Sequence, residues 1–333
     1  MTLRCPRVLL GLTAVLLTVP ASAHAQSELV QWTDATLGRM MGRADYRLQY
    51  YSTERVENQP ARLDLDQHNF TLVTPLYQTT RDEWSLSGRL RYQDYNTNAI
   101  LPDTNEPFPH ELWDVRAGLG YRHKFDNEWI LGGNVTVGSA SDKPFHSEDE
   151  MIYRAVAMLR VPRGDRDAWI FTLIYASDVE VIRDLRHIPV PGIAYLWQPS
   201  DQFRAVIGFP FTSVEYKPTE KLTMDATYFP ARTVHARATY AMFRPFRVFV
   251  GFDADHDAYY RVDRRDSEDQ LFYYEKRVTG GMRFDLRHVG IEATAAYVWD
   301  RFYFEGERYS DRGDNRVDVK PGIVVGARLG FRW

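Results

Sequence analysis

The last twelve residues read "GIVVGARLGFRW", Gly322 to Trp333. Taken two at a time they separate Ile323, Val325, Ala327, Leu329, Phe331 and Trp333 from Gly322, Val324, Gly326, Arg328, Gly330 and Arg332. Successive side chains of a strand point to opposite faces. One face here is therefore apolar to its final atom, and the other is small or cationic. Chain ends of soluble domains are usually poorly ordered unless something ties them down. An aromatic terminus with a greasy row behind it implies a strand whose outer face meets something other than water.

The same period runs through the chain from about residue 44. In "WSLSGRLRY", Trp84, Leu86, Gly88, Leu90 and Tyr92 alternate with Ser85, Ser87, Arg89 and Arg91. "WDVRAGLGYRHKF" sets Trp113, Val115, Ala117, Leu119 and Tyr121 against Asp114, Arg116, Gly118, Gly120 and Arg122, and "VGIEATAAYVW" repeats the pattern. No helical spacing reaches comparable strength, so the chain reads as all-β. Strands in one direction are expected near 44–56, 82–94, 128–139, 168–178, 202–209, 220–229, 246–255 and 288–300. Their antiparallel partners are expected near 63–77, 111–124, 151–162, 190–199, 211–217, 233–243, 270–285 and 319–333. That makes about 16 strands of the length a tilted membrane strand needs. If "FRAVIGFPFTSVEYKP" is one bent strand, the number falls to 14.

The connections add independent information. At one rim they are tight turns, "FDNE", "PRGDRD", "QPSD", "KPTE" and "FRPF". At the other they are long, near 95–110, 140–150, 179–189, 256–269 and 301–318. Trp84, Trp129, Trp169, Trp197 and Trp333 fall at the short-turn rim, and Trp113 and Trp299 at the long-loop rim. Indoles favour a membrane boundary because the ring is apolar and its N–H wants a partner, so these seven form two girdles. A soluble barrel would show the same alternation with its apolar face inward. The terminal aromatic, the girdles, the rim asymmetry and an N-terminal signal peptide favour the reverse, a transmembrane antiparallel up-and-down barrel with short periplasmic turns and long extracellular loops.

Composition is compatible with this. The 333 residues are 44% hydrophobic and 26% charged, with 14% aromatics, 20 Tyr and a single Cys. The start, "MTLRCPRVLLGLTAVLLTVPASAHAQ", has Arg4 and Arg7, an apolar run from Val8 to Val19, and small residues at Ala21, Ala23 and Ala25. It has the form of a signal peptide, residues 1–25, cut after Ala25 or, less favourably, Ala23. Cys5 leaves with it, which removes any disulfide framework. The formal charge then moves from −4 to −6, giving no reason to expect nucleic-acid binding. Residues 26–43, holding Trp32, form a periplasmic segment that is a short helix, a plug or an arm. The barrel occupies 44–333.

The ending, with Gly326, Leu329, Phe331 and Trp333 in step, resembles the C-terminal sorting signal of Gram-negative outer-membrane β-barrels. "PVPGIAYLWQPSDQFRAVIGFPF" is similar to an outer-membrane barrel family known only as a domain of unknown function. The resemblance implies a porin-like protein exported to the bacterial outer membrane, in contact with lipid and lipopolysaccharide, assembled by the barrel-assembly machinery and compatible with a homo-oligomer. It supplies no catalytic residues and no cofactor.

The inward face is expected to carry Arg47, Arg89, Arg91, Arg116, Arg122, Arg154, Arg160, Arg237, Arg277, Arg283 and Arg328, with Asp114, Asp225, Glu275 and Glu292 as fewer acidic partners. Such a wall either favours anions in a water-filled pore or ties itself into stiffening Arg-carboxylate ladders. Acidic stretches, "EPFPHELWD", "HSEDE", "DADHD" and "DSEDQ", are expected at the outer rim, as solvated loops or as sites where divalent cations bridge lipopolysaccharide. In "DADHD" the alternation points His256 away from Asp253, Asp255 and Asp257, and no G-x-S-x-G occurs. A passive channel for small polar or anionic solutes is the leading expectation. A closed structural or docking barrel and, least favoured, a surface hydrolase are the alternatives.

Overall fold

Residues that alternate in polarity make strands with two unlike faces, and such strands satisfy their backbone groups only by pairing on both edges. The computed structural model describes residues 34–102, 104–178, 188–209, 211–229, 233–313 and 316–333, and in it the pairing closes on itself. The expected signal peptide and residues 26–33 lie outside the described residues. The strands are β1 (Arg43–Arg55), β2 (Arg62–Gln78), β3 (Asp82–Thr97), β4 (Glu111–Lys124), β5 (Ile130–Ser141), β6 (Met151–Arg163), β7 (Asp167–Ala176) and β8 (Val190–Ser200). They continue as β9 (Phe203–Phe209), β10 (Thr212–Tyr216), β11 (Leu222–Phe229), β12 (Thr233–Phe243), β13 (Phe246–Tyr259), β14 (Gln270–Asp285), β15 (Val289–Gly306) and β16 (Gly322–Arg332). Each pairs antiparallel with its neighbours in sequence, and β16 returns to β1 with Arg43 opposite Arg332 and Tyr51 opposite Val324. A closed barrel of 16 antiparallel strands results. The short Val317–Val319 segment pairs with β15 beyond the end of β16. The doubtful stretch forms two strands, β9 and β10, with Ala205 opposite Val214.

The register shows which face points where. Tyr46, Tyr50, Leu86, Leu90, Val135, Ile193, Ile323 and Val325 are exposed on the outside. Arg89, Arg91, Asp114, Gln67 and Gln93 are buried inside. The barrel is thus inverted relative to a soluble one: apolar without, charged within.

Three departures from the expected pattern matter. Strands β3, β13 and β15 run past their expected ends, so parts of the expected long loops are wall. "DADHD" accordingly lies within β13 and not in a rim loop. Trp299 sits inside β15, below its rim end, instead of at a strand terminus. Just after it, Asp300 has φ 54° and the β14–β15 register slips between Tyr274 and Lys276. This bulge reverses the facing of the remainder of β15. Arg301 and Tyr303 turn inward, while Phe302 and Phe304 pack outside with Phe272, Tyr274 and Tyr309.

The interior is filled at the rim away from the chain end. Inward Tyr51, Leu63, Leu65, Tyr95, Tyr259, Leu271, Tyr273 and Tyr303 form one apolar cluster with Leu101 and Phe108. The last two come from the β3–β4 connection, where Ile100–Leu101 pairs with Glu106–Pro107 as a small hairpin. Opposite walls meet there as well: the Tyr260 N–H donates to the Ala140 carbonyl at 2.8 Å. A second apolar cluster, with Met158, Ile170, Leu196, Val206, Phe211 and Phe229, lines the β6–β11 side.

At the opposite rim, residues 34–42 form an arm without a strand. Leu37 is buried, the Met40 N–H donates to Gln78 Oε1 at 3.1 Å, and the Gly38 N–H donates to Glu83 Oε2 at 3.4 Å. The arm ends at Gly42, whose N–H and carbonyl both bond Trp333, each at 3.0 Å. A Cβ on Gly42 would lie 2.2 Å from the indole, so any larger residue there would have to displace the terminal ring.

Candidate functional site: a charged inner chamber

Between the two rims the inward side chains enclose a chamber of about 520 Å³, adjoined by a smaller one of about 220 Å³. All eleven arginines expected on the inner face occupy inward positions of the register. Arg47, Arg89, Arg91, Arg116, Arg154, Arg277 and Arg328 border the larger chamber, and Arg237 borders the smaller. Arg122 is held by Glu83 at 2.6 Å near the arm, Arg160 is buried in the β6 wall, and Arg283 bonds Asp285 at 2.8 Å.

Most of these cations are paired. Arg89 and Arg116 share Asp114, Arg154 bonds Asp178 at 2.9 Å, and Arg91 reaches across the barrel to Asp257. Arg277 is surrounded by Asp253, Asp255 and Glu275 at 3.2, 3.1 and 3.2 Å. Arg328 bonds Asp45 at 2.9 Å, and Arg237 bonds Glu292 at 3.1 Å while lying 3.4 Å over the Phe249 ring. In a low-dielectric wall such pairs satisfy each other and fix strand register at the cost of desolvation.

The sequence understates the acidic side. Asp45, Asp178, Asp253, Asp255 and Asp257 also face inward and form ion pairs. Asp253, Asp255 and Asp257 belong to the wall and not to the expected rim loop, and their alternation alone is the signal that they share a strand face. His235 is a further inward residue absent from the expected set. It lies opposite Asp253 across β12 and β13, with Nδ1 2.6 Å from Asp253 and Nε2 3.3 Å from Asp255. These three offer ligand atoms within 4.8 Å of one another, the set a metal would use. Arg277 already bonds both carboxylates, so the group is an ion-pair cluster. His256 faces outward, edge-on to Tyr309 with ring centroids 5.2 Å apart, and away from the aspartates.

The expected interface residues divide between the two rims. Trp84, Trp129, Trp169, Trp197 and Trp333 lie at the rim of the chain end, with Trp84 against Tyr121 at 4.5 Å and Trp169 against Tyr195 at 4.8 Å. Trp113 packs tilted against Tyr92 at 4.3 Å at the other rim, and Trp299 lies beside Tyr297 at 6.0 Å. In the terminal motif Leu329, Phe331 and Trp333 are exposed, while Gly326 faces inward, where a Cβ would meet Thr294 at 2.8 Å.

No protein-family model matches the chain, and no curated protein matches it. Among solved structures it is similar to an outer membrane channel from Pseudomonas putida F1, with 9% identity, TM-score 0.39, and 98% of this chain and 100% of that one covered. It is also similar to Pseudomonas aeruginosa OccK7, with 10% identity, TM-score 0.39 and coverage of 88% and 98%. A Pseudomonas aeruginosa FadL homologue shows 13% identity, TM-score 0.35 and coverage of 87% and 89%. Likeness at this level carries no argument about what the barrel transports or binds.

Proposed function

We propose that the chain is an outer-membrane barrel of channel type, serving small polar or anionic solutes and closed at its outer end in the conformation described. The observation that carries this is the inversion of polarity: apolar side chains cover the outside, and a charged chamber lies within. Such an arrangement is stable when lipid surrounds the wall and water or a polar solute enters it. The rim with the chain end is then periplasmic, and the rim sealed by Leu101, Phe108 and Tyr303 is outer. On this reading the protein is not an enzyme, its terminal strand addresses the barrel-assembly machinery, and the acidic loops face lipopolysaccharide.

The sealing cluster also supports a second reading, a closed structural or docking barrel. Planar-bilayer recording separates the two. The channel reading predicts rare conductance steps for the intact protein and frequent ones once residues 99–108 are replaced by a short flexible linker. Silence in both forms excludes it.

A further inference from the structure

Among the described residues the register sets arginine directly opposite arginine at five places. Like charges directly opposite destabilise a strand pair unless something offsets them. Arg43–Arg332 and Arg55–Arg62 lie at strand ends, each with an exposed member that water screens. The other three face inward: Arg89–Arg116 across β3 and β4, Arg247–Arg283 across β13 and β14, and Arg47–Arg328 across β1 and β16. In the first of these, one carboxylate serves both cations. Asp114 Oδ1 accepts from Arg116 Nε, and its Oδ2 stands 3.2 Å from Arg89 Nε. The second repeats the arrangement, with Asp285 Oδ1 2.8 Å from Arg283 Nε and Oδ2 3.3 Å from Arg247 Nε. Each bridging aspartate lies two residues from an arginine on its own strand, and Asp45 stands in the same relation to Arg47. Its Oδ1, however, takes Arg328 alone, with Nε at 3.0 Å and Nη2 at 2.9 Å. Arg47 makes no ion pair and no hydrogen bond among the described residues.

The charges that Arg47 meets most strongly are Arg328 and Arg277, both cationic, and only then Glu292 and Asp253. Those two carboxylates are already held, Glu292 by Arg237 at 3.1 Å and Asp253 by Arg277 at 3.2 Å. Arg47 and Arg328 are half-buried and border both the larger and the smaller chamber, so a solute inside reaches them. We infer that the chamber binds a small monocarboxylate at the Arg47–Arg328 pair, one oxygen to each guanidinium, as Asp114 and Asp285 bind theirs. Guanidinium donors match carboxylate oxygens in geometry as well as in charge. A single negative charge suffices, because Asp45 already offsets Arg328. This inference rests on the solute-chamber reading above and narrows its substrate class.

The test is carbon-13 NMR of labelled acetate added to the full chain folded in detergent at neutral pH. Acetate that exchanges with a slowly tumbling complex broadens, and titration gives its affinity. Saturable broadening is the expected result. Acetamide, the neutral isostere, should not reverse it, and chloride, which lacks the paired oxygens, should need at least about tenfold more than unlabelled acetate. Arg47→Gln should weaken acetate binding by about tenfold or more, the loss of one charge-assisted contact. Arg47→Lys keeps the charge without the planar fork and should lose an intermediate amount; it reads the same contact should the Gln variant not assemble. Asp45→Asn removes the competitor for Arg328 and should bind acetate at least as tightly as the unaltered chain. No saturable broadening, reversal by acetamide, or binding unaltered in both Arg47 variants overturns the inference, as does a tenfold loss in Asp45→Asn. Because the measurement needs no conductance, acetate binding by a protein that never conducts removes only the channel reading. Conductance without acetate binding removes only this inference.

Discussion

Phe108→Ala tests whether the outer seal is a separable device. The Phe108 ring is 2% exposed and stands edge-on to Tyr95 and Tyr303 at 5.1 and 4.9 Å. Removing a buried Phe costs about 3–5 kcal/mol, of which each edge-to-face pair supplies about 0.5–1.5 kcal/mol. The wall loses no ladder hydrogen bond, because Phe108 belongs to the β3–β4 connection and not to a barrel strand. The cost therefore falls on docking of that connection. At about 1.4 kcal/mol per factor of ten, the balance between seated and displaced connection shifts by roughly two to three and a half orders of magnitude. Single-channel recording should show open probability rising steeply, while gel mobility before and after boiling stays that of an intact barrel. Phe145→Ala, at an exposed position 52% accessible on the neighbouring β5–β6 connection, should change neither. A folded Phe108→Ala barrel with wild-type open probability would refute the idea that this aromatic contact closes the outer mouth.

Single contacts elsewhere make further tests. Arg91→Ala leaves part-buried Asp257 without its main partner across the barrel and should cost up to about 3 kcal/mol in detergent unfolding experiments, whereas the Arg91→Met, Asp257→Leu pair should recover most of it. Equal losses in the single and double variants would exclude an ion-pair origin. Burial pushes the Glu150 carboxyl up, but hydrogen bonds from Ser147 and the Arg264 guanidinium outweigh it and hold its pKa below the usual value. Its contribution is therefore present above the ordinary carboxylate pKa and lost as pH falls through the lowered one. Amide exchange at Ser147 should accelerate across that window, and Glu150→Gln should abolish the pH dependence. Gly42→Ala forces the Trp333 indole away and weakens the two 3.0 Å bonds that hold the chain end. Assembly should slow and the indole emission should shift; an unchanged spectrum argues that Trp333 is not seated there.

Why so much of the wall is legible in the sequence, and so little of the chamber, comes from what alternation encodes. Period two states which residues share a face, so β3 with Arg89 and Arg91 or β16 with Arg328 can be placed inward without knowing their neighbours. It is blind to a bulge, since one extra residue at Asp300 exchanges the faces of everything after it in β15 and puts Tyr303 in the seal. It also does not say which cross-strand pairs form bonds. Asp225 and Arg237 lie directly opposite, as an ion pair would, yet the guanidinium turns to Glu292 and the Phe249 ring instead. Similarly, His235 and Asp253 are 18 residues apart and become neighbours only when the β12–β13 register is known. Membrane barrels thus write their exterior locally, residue by residue, while their interior depends on register and on contacts across the lumen. The unpaired Arg47 and Asp225 belong to that second level.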